Sequence, residues 1–185
     1  MAFNTDKLKD DIKNGNVQNI AVVDVREIVF SEDVRMYCEM NSCGQYGKNW
    51  ACPPGVGPVS DLKAKVERYD KGLVLQTVHP LSDSFDFEGM MAGQKEHEAI
   101  LEEVSLLVSQ KHGIYETLLL GAGPCEVCKQ CTYTDGKPCR FPEKKRESLE
   151  ACGIDVVKLA GDCRIPYKHS GNTVAYIGII LFKDF

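Results

Sequence analysis

The sequence predicts an α/β or α+β fold in which a mixed sheet of about five strands is packed by helices. Runs of β-branched and aliphatic residues alternate along the chain with segments of helical periodicity, the pattern of a sheet covered by helices. Two cysteine-rich loops are expected at strand ends, where sites on such sheets commonly lie. At 185 residues the chain is expected to form one domain over residues 1–185, burying about 70% of its unfolded surface.

Each predicted element follows from a local pattern. Continuous apolar or β-branched runs predict strands at residues 20–30, 73–78, 115–120, 154–159 and 173–182, with the last strand central. Apolar stripes, capping residues and terminal glycines predict helices at residues 5–15, 61–69, 90–112 and 142–152. Residues 36–58 are rich in Cys, Gly, Asn and Pro, so they are expected to form a loop.

Four cysteines in the second half of the chain, called here the C-terminal cysteines, carry the strongest functional signal. Cys125, Cys128 and Cys131 form a C-x2-C-x2-C pattern, and Cys139 begins the segment Cys-Arg-Phe-Pro. Bacterial iron–sulfur proteins space their ligands in this way and end the motif with a further cysteine and a proline. A single zinc ion is usually held by two separated pairs of ligands. The spacing therefore favours a [4Fe-4S] cluster, with zinc as the alternative.

Three cysteines in the first half, called here the N-terminal cysteines, form a second candidate site. Cys38, Cys43 and Cys52 are separated by four and eight residues, and Cys52 is followed by two prolines. The spacing alone indicates little. Nearby glycines and asparagines allow tight turns whose amides can point at sulfur, and a cysteine followed by proline is typical of cluster loops. We therefore expect a second [4Fe-4S] cluster here.

The N-terminal cysteines have no obvious fourth ligand in the sequence. Cys139, Cys152, Cys163, a group other than cysteine, or no further ligand at all are the alternatives. Cys152 lies at the end of a predicted helix, where core packing is the favoured interpretation. Cys163 lies on a predicted loop, so both a structural and a ligand role stay open for it.

Composition excludes several classes of protein. The net charge of −5 argues against nucleic-acid binding, which requires excess positive charge to displace counterions. No apolar run approaches the ~20 residues of a membrane span, and the first residues lack the features of a secretion signal. An odd number of cysteines, nine, argues against a disulfide scaffold. The sequence therefore predicts a cytoplasmic protein with reduced thiols.

Basic residues surround the C-terminal cysteines. From Cys125 to Arg146 there are six basic and three acidic side chains, a balance of +3 in a chain of net charge −5. Such groups would offset the negative charge of a thiolate cluster, and they would allow an acidic redox partner to dock near Lys129, Arg140 and Lys144. A solvated helix face is the alternative interpretation of the same residues.

These motifs resemble those of an uncharacterised prokaryotic family of predicted metal-binding proteins, a domain of unknown function, and the resemblance covers nearly the whole chain. It rests on the following segments: Cys38, Cys43 and Cys52-Pro-Pro; Gly-x-Gly-x-Cys125-x-x-Cys128-x-x-Cys131; Cys139-Arg-Phe-Pro; residues 150–155; and the strand at 173–181. The resemblance implies metal binding, most simply by an iron–sulfur centre, and an anaerobic bacterial or archaeal source. Cys152 and Cys163 do not belong to the family pattern.

Three functions are consistent with these observations. The first is electron transfer by one or two [4Fe-4S] clusters, with a redox protein as partner. The second is an enzyme in which a cluster at Cys38, Cys43 and Cys52 keeps one iron open to bind or reduce a substrate. The third is a zinc-binding structural or regulatory module.

Overall fold

The core of the protein is an open four-stranded antiparallel sheet in the order β1-β2-β4-β3. A computed structural model describes Lys7, residues 10–12 and residues 16–183. The strands are β1 (Val17–Asp24), β2 (Lys71–Pro80), β3 (Thr117–Leu120) and β4 (Thr173–Phe182). The two interior strands, β2 and β4, pair along their whole length from Lys71 opposite Phe182 to Pro80 opposite Thr173.

Four α-helices accompany the sheet in the described part of the chain. They are α1 (Glu32–Glu39), α2 (Val59–Val66), α3 (Phe87–His112) and α4 (Val156–Asp162). Short 3-10 turns lie at Val25–Glu27 and Thr132–Asp135. No helix among the described residues is both long enough and apolar enough to cross a membrane.

Both faces of the sheet are buried, which explains the continuous apolar runs of its interior strands. Leu73 and Leu75 of β2 pack in one cluster with the apolar side of α3. Val74, between them, points to the opposite face and packs in a second cluster with residues of α2 and α4. Successive side chains of a strand point to opposite faces, so a strand covered on both sides carries apolar residues toward both of them.

The strongest secondary-structure predictions are confirmed. β2, β4 and α3 occupy the segments predicted at 73–78, 173–182 and 90–112, and β4 is an interior strand. β3 and α2 are also confirmed, although each is shorter than predicted. β1 ends at Asp24 because its carboxylate accepts the Arg26 backbone N–H at 3.0 Å and starts a 3-10 turn. Most of the helix predicted at 5–15 lies outside the described residues.

The predicted α/β or α+β fold, a sheet packed by helices, is confirmed, but among the described residues the sheet has four antiparallel strands in place of about five in a mixed sheet. The segment predicted as a strand at 154–159 instead forms the start of α4. Asp155 caps this helix, since its carboxylate accepts the Lys158 backbone N–H at 2.9 Å. Ile154 makes only an isolated bridge to Phe30. All strand pairs of the resulting four-stranded sheet are antiparallel.

Two further predictions are wrong. Residues 142–152 form turns instead of a helix, because the Glu147 carbonyl and the Leu149 N–H bond to Gly121, at 3.0 and 3.1 Å, and are lost to helical pairing. The start of the predicted loop at 36–58 belongs to α1, which Ser31 caps by accepting the Asp33 N–H. α1 buries none of its residues, so it has no apolar stripe that would reveal it in the sequence.

Candidate metal centre

The loop that carries the C-terminal cysteines leaves the end of β3 and is clamped to α3. Immediately after β3, the Ala122 N–H donates to Glu98 Oε1 at 2.9 Å. The Ala122 carbonyl accepts a hydrogen bond from Gln94 Nε2 at 2.8 Å. Both Gln94 and Glu98 belong to α3. The long helix therefore holds the backbone three residues before Cys125 in a defined position.

Two glycines make this close approach possible. A Cβ atom on Gly121 would collide with the Glu98 carboxylate, and one on Gly123 would lie 2.7 Å from Gln94 Nε2. Gly123 also has a φ of +78°, a conformation that favours glycine. The sequence analysis identified the glycines as part of the motif but missed Gln94 and Glu98. No pattern in the sequence of the helix indicates that these two side chains bond to a loop more than twenty residues away in the chain.

Glu98 also binds the segment that follows Cys139. Its Oε2 lies 3.1 Å from Arg146 Nη1, and Arg146 Nη2 lies 2.8 Å from Glu102 Oε1. Burial raises the pKa of Glu98, although the Ala122 N–H and the Arg146 guanidinium act in the opposite direction. This half-buried pair of Glu98 and Arg146 ties both ends of the cysteine loop to one helix.

The four C-terminal cysteines line a single small cavity. Cys125, Cys128, Cys131 and Cys139 are half-buried, and all are free thiols. The structure thus brings together four residues that the spacing analysis selected. The remaining walls are Asn49, Trp50, Ala51, Val127, Phe141 and Lys145.

The spacer between Cys131 and Cys139 folds back, as its sequence predicts. Thr132–Asp135 forms a 3-10 turn that ends at Gly136, with φ +63°. Thr132 Oγ1 donates to the Pro138 carbonyl at 2.8 Å, and the Arg140 guanidinium donates to the Gln130 carbonyl. These bonds return the chain to the cavity at Cys139.

The N-terminal cysteine loop forms one side of this cavity. Trp50 Nε1 donates to the Lys137 carbonyl at 3.0 Å, and its ring packs edge-to-face on Tyr133 with the ring centroids 4.9 Å apart. Lys145 Nζ lies 3.5 Å from the Trp50 carbonyl. The two cysteine loops, far apart in sequence, are therefore parts of one structural unit.

The N-terminal cysteines differ in their exposure. Cys38 lies half-buried on α1, Cys43 is exposed, and Cys52 is buried. The prediction of a loop at a strand end does not hold for this group, because it spans a helix and the turns that follow. Asn49 Nδ2 donates to Cys52 Sγ at 3.2 Å.

Cys52 adjoins the cavity of the C-terminal cysteines, because Asn49, which donates to its sulfur, and Ala51 line that cavity. Burial raises the pKa of the Cys52 thiol to about 11, and the Asn49 hydrogen bond opposes this shift. Charge on Cys43, Cys38 and Cys125 raises the same pKa further. Cys125 therefore lies within electrostatic range of Cys52, a neighbour that the sequence analysis did not consider.

The two remaining cysteines belong to the core. Cys152 is 1% exposed and packs with Leu149 and Ile154, and burial raises its pKa to about 12. Cys163 is half-buried against the same cluster, and burial raises its pKa to about 11. Neither thiol lines the cavity of the C-terminal cysteines.

The thiols surround the cavity without converging on one point. Within residues 16–183 and the few described before them, no three Cys, His, Asp or Glu side chains are arranged to hold a single metal ion.

Comparison with known proteins agrees with the resemblance drawn from the cysteine motifs. No curated protein and no solved structure matches the chain. A family model described as "Predicted metal-binding protein (DUF2284)" matches residues 21–182, a range that contains all seven cysteines of the two groups. Because this match covers most of the 185 residues, the chain belongs to the DUF2284 family of predicted metal-binding proteins.

Proposed function

We propose that this protein binds one or two [4Fe-4S] clusters and transfers electrons. The observation that carries the proposal is the cavity lined by Cys125, Cys128, Cys131 and Cys139, which has a complete set of four thiols from one C-x2-C-x2-C loop and its return segment. Clusters ligated by four cysteines exchange single electrons, and their protein surroundings set the potential.

The arrangement of the thiols favours a cluster over a single zinc ion. Zinc requires four ligands converging on one ion, with sulfur at about 2.3 Å. A cubane carries each thiolate on a different iron atom, so its ligands stand further apart. Three of the four thiols here follow the C-x2-C-x2-C spacing of iron–sulfur ligands, whereas zinc is usually held by two separated pairs of ligands.

The walls of the cavity suit a redox centre. Trp50, Val127 and Phe141 contribute apolar surface that limits the access of water, and Lys145 adds a positive charge. Burial and nearby charge are among the properties that set the potential of an iron–sulfur centre. A cation beside a thiolate cluster stabilises the extra electron of the reduced state.

An acidic redox protein is the expected partner. Lys129, Arg140 and Lys144 are exposed on the two segments that carry the C-terminal cysteines. Lys129 and Lys48 also line one cleft together with Cys125, Cys128 and Cys131. Positive charge concentrated at the proposed centre would steer a negatively charged partner to the point where the electron leaves.

A second cluster at Cys38, Cys43 and Cys52 extends the proposal. The three thiols are free and interact electrostatically. Of the fourth ligands considered from the sequence, Cys139 lines the other cavity, and Cys152 and Cys163 pack in or against the core. This observation favours a second candidate function, in which three thiolates leave one iron open to bind or reduce a substrate as a Lewis acid or electron donor.

Metal analysis of protein purified without oxygen tests the proposal. About four irons and four acid-labile sulfides per chain indicate one cubane, and about eight indicate two. Electron paramagnetic resonance (EPR) after reduction identifies the cluster type. Zinc without sulfide would instead establish the zinc-binding module and end the case for electron transfer.

Substitution of one ligand tests the assignment of the C-terminal cysteines. We expect Cys128→Ser to remove about four irons and one EPR signal, because a cubane needs four ligands. Cys163→Ser is the matched control, since Cys163 is also a half-buried free thiol but lies outside both groups. Unchanged iron content in Cys128→Ser would refute the assignment.

A further inference from the structure

Asn49 lies at the junction of the two cysteine groups. Its Nδ2 donates to Cys52 Sγ at 3.2 Å, and its Oδ1 accepts the Ala51 N–H at 2.9 Å. The residue is only 3% exposed, and it also forms part of the wall around the C-terminal cysteines. One side chain therefore contacts a sulfur of one group and borders the cavity of the other.

We propose that Asn49 is a positioning residue that raises the reduction potential of the centre bound through Cys52 and holds that thiolate beside the C-terminal centre. This inference rests on the proposed function, because it requires an iron–sulfur cluster at the N-terminal cysteines. The inference itself concerns the effect of one side chain, Asn49, on that cluster.

The direction of the effect follows from charge. One-electron reduction of a cluster adds negative charge, part of which resides on the thiolate sulfurs, and it forms or breaks no covalent bond. An N–H group pointing at the Cys52 sulfur stabilises this charge more in the reduced state than in the oxidised state, so it raises the potential. In the titration below the electron comes from an added chemical reductant.

Burial makes this hydrogen bond stronger than an exposed one. Cys52 is 9% exposed and Asn49 is 3% exposed, so water does not compete for either partner. Within the described residues no other cysteine sulfur accepts a hydrogen bond from a side chain. The effect of Asn49 is therefore specific to one ligand of one centre.

The position of Asn49 also suits electron exchange between the two centres. The side chain that donates to Cys52 also borders the cavity lined by Cys125, so the two groups adjoin. Asn49 orients the Cys52 sulfur at this junction, while Ala51 and Trp50 complete the wall between the groups. Electrons entering at one cluster would reach the other across this wall.

The substitution Asn49→Asp removes the hydrogen bond to sulfur. The carboxylate keeps the acceptor for the Ala51 N–H but has no N–H for Cys52, and it adds a negative charge. In a reductive titration of the iron-loaded protein followed by EPR, we expect the midpoint potential of one centre to fall by at least about 59 mV. This corresponds to a tenfold change in the equilibrium constant of a one-electron couple.

Asn41→Asp is the matched control for this experiment. Asn41 lies in the same loop, and its Oδ1 accepts the Tyr46 N–H at 3.0 Å without a contact to sulfur. The same change of amide to carboxylate there should shift either midpoint potential by much less than Asn49→Asp does, because it adds the charge without removing a bond to sulfur. An equal shift in both variants would show that general loop charge sets the potential, which overturns the role of Asn49.

Iron content separates failure of this inference from failure of the proposed function. Wild-type protein with no iron, or with a single cluster that Cys128→Ser removes, refutes the second centre itself. Wild-type protein with about eight irons whose potentials are the same in Asn49→Asp refutes only the inference.

A measurement on the wild-type protein covers the case in which Asn49→Asp loses iron or does not fold. The protein is grown with asparagine labelled with nitrogen-15 in its side-chain amide, and pulsed EPR is recorded on the reduced clusters. A hyperfine coupling to this nitrogen supports the hydrogen bond to the bound thiolate. Its absence overturns the inference.

Discussion

Buried histidines between α3 and β2 lead us to predict that acid destabilises this protein chiefly through His97. His79 Nδ1 lies 3.4 Å from Glu96 Oε2 near the surface, and its Nε2 lies 2.9 Å from Thr77 Oγ1. The same hydroxyl lies 2.9 Å from His97 Nδ1. His97 is fully buried, and its Nε2 has no hydrogen-bond partner among the described residues.

The environment of His97 keeps its imidazole neutral. Burial lowers its pKa from 6.5 to about 3, and the nearby charges of His79 and Arg146 act in the same direction. The unfolded chain takes up a proton at this histidine below about pH 6.5, whereas the folded protein does not. The contribution to stability is therefore complete above pH 6.5 and is lost as the pH falls towards 3.

The size of this effect follows from the two pKa values. A change from 6.5 to about 3, at 1.36 kcal/mol per pKa unit, corresponds to about 5 kcal/mol once the pH is below both values. At pH 5 the same relation gives a loss of about 2 kcal/mol relative to pH 7.5. Because small domains have unfolding free energies of about 5–15 kcal/mol, even the smaller loss is readily measured.

Urea unfolding at pH 7.5 and pH 5.0 of the wild-type protein and of His97→Gln tests this prediction. The glutamine amide can still hydrogen-bond to Thr77 but does not titrate. We expect the wild-type protein to lose about 2 kcal/mol more than the variant between the two pH values. Subtracting the loss of unfolding free energy in the variant from that in the wild-type protein cancels any effect of acid that both proteins share, including loss of metal.

His112→Gln, at the last residue of the same helix, is the control and should behave like the wild-type protein. The reasoning is refuted if His97→Gln loses as much stability as the wild-type protein on acidification. In that case other groups carry the acid sensitivity.

Two further predictions concern residues around the candidate metal centre. Cys152→Ala should leave iron content unchanged and lower the unfolding free energy by about 1 kcal/mol, since it removes a packed core sulfur; loss of iron would make Cys152 a ligand. Gly121→Ala should reduce iron content and cost about 1–3 kcal/mol, because its Cβ would collide with Glu98 and displace the turn before Cys125. Gly161→Ala, with open space at its Cβ, is the control. An iron assay and urea unfolding measure both quantities for each variant. Full iron loading of Gly121→Ala would show that the hydrogen bonds of Gln94 and Glu98 to Ala122 are not needed for metal binding.

Local sequence patterns predicted the strands and the helix that are recognisable from their own apolar residues. Strands β2 and β4 were predictable because strands buried on both faces contain long runs of apolar residues. α3 was predictable from its apolar stripe and the glycine at its end. Helix α1 was not predictable from an apolar stripe, since it buries no residue.

Other errors arose where a distant segment outweighed the local preference. Pro142 and Gly153 frame a segment suited to a helix, yet Gly121 pairs with Glu147 and Leu149 and prevents it. A hydrogen bond between residues more than twenty positions apart cannot be predicted from the sequence around either residue. The same limit explains why Gln94 and Glu98, the partners of the cysteine loop, were missed.

The sequence by itself determined which thiols are available and how they are grouped, because ligand spacing is a property of neighbouring residues. It also determined the long helix and the interior strands through their apolar periodicity. Only the tertiary structure decided that the two cysteine groups adjoin, that Asn49 stands between them, and that Cys152 and Cys163 pack in or against the core. These outcomes depend on contacts between segments far apart in the chain, such as the hydrogen bond from Trp50 to the Lys137 carbonyl, and local sequence patterns do not encode such contacts.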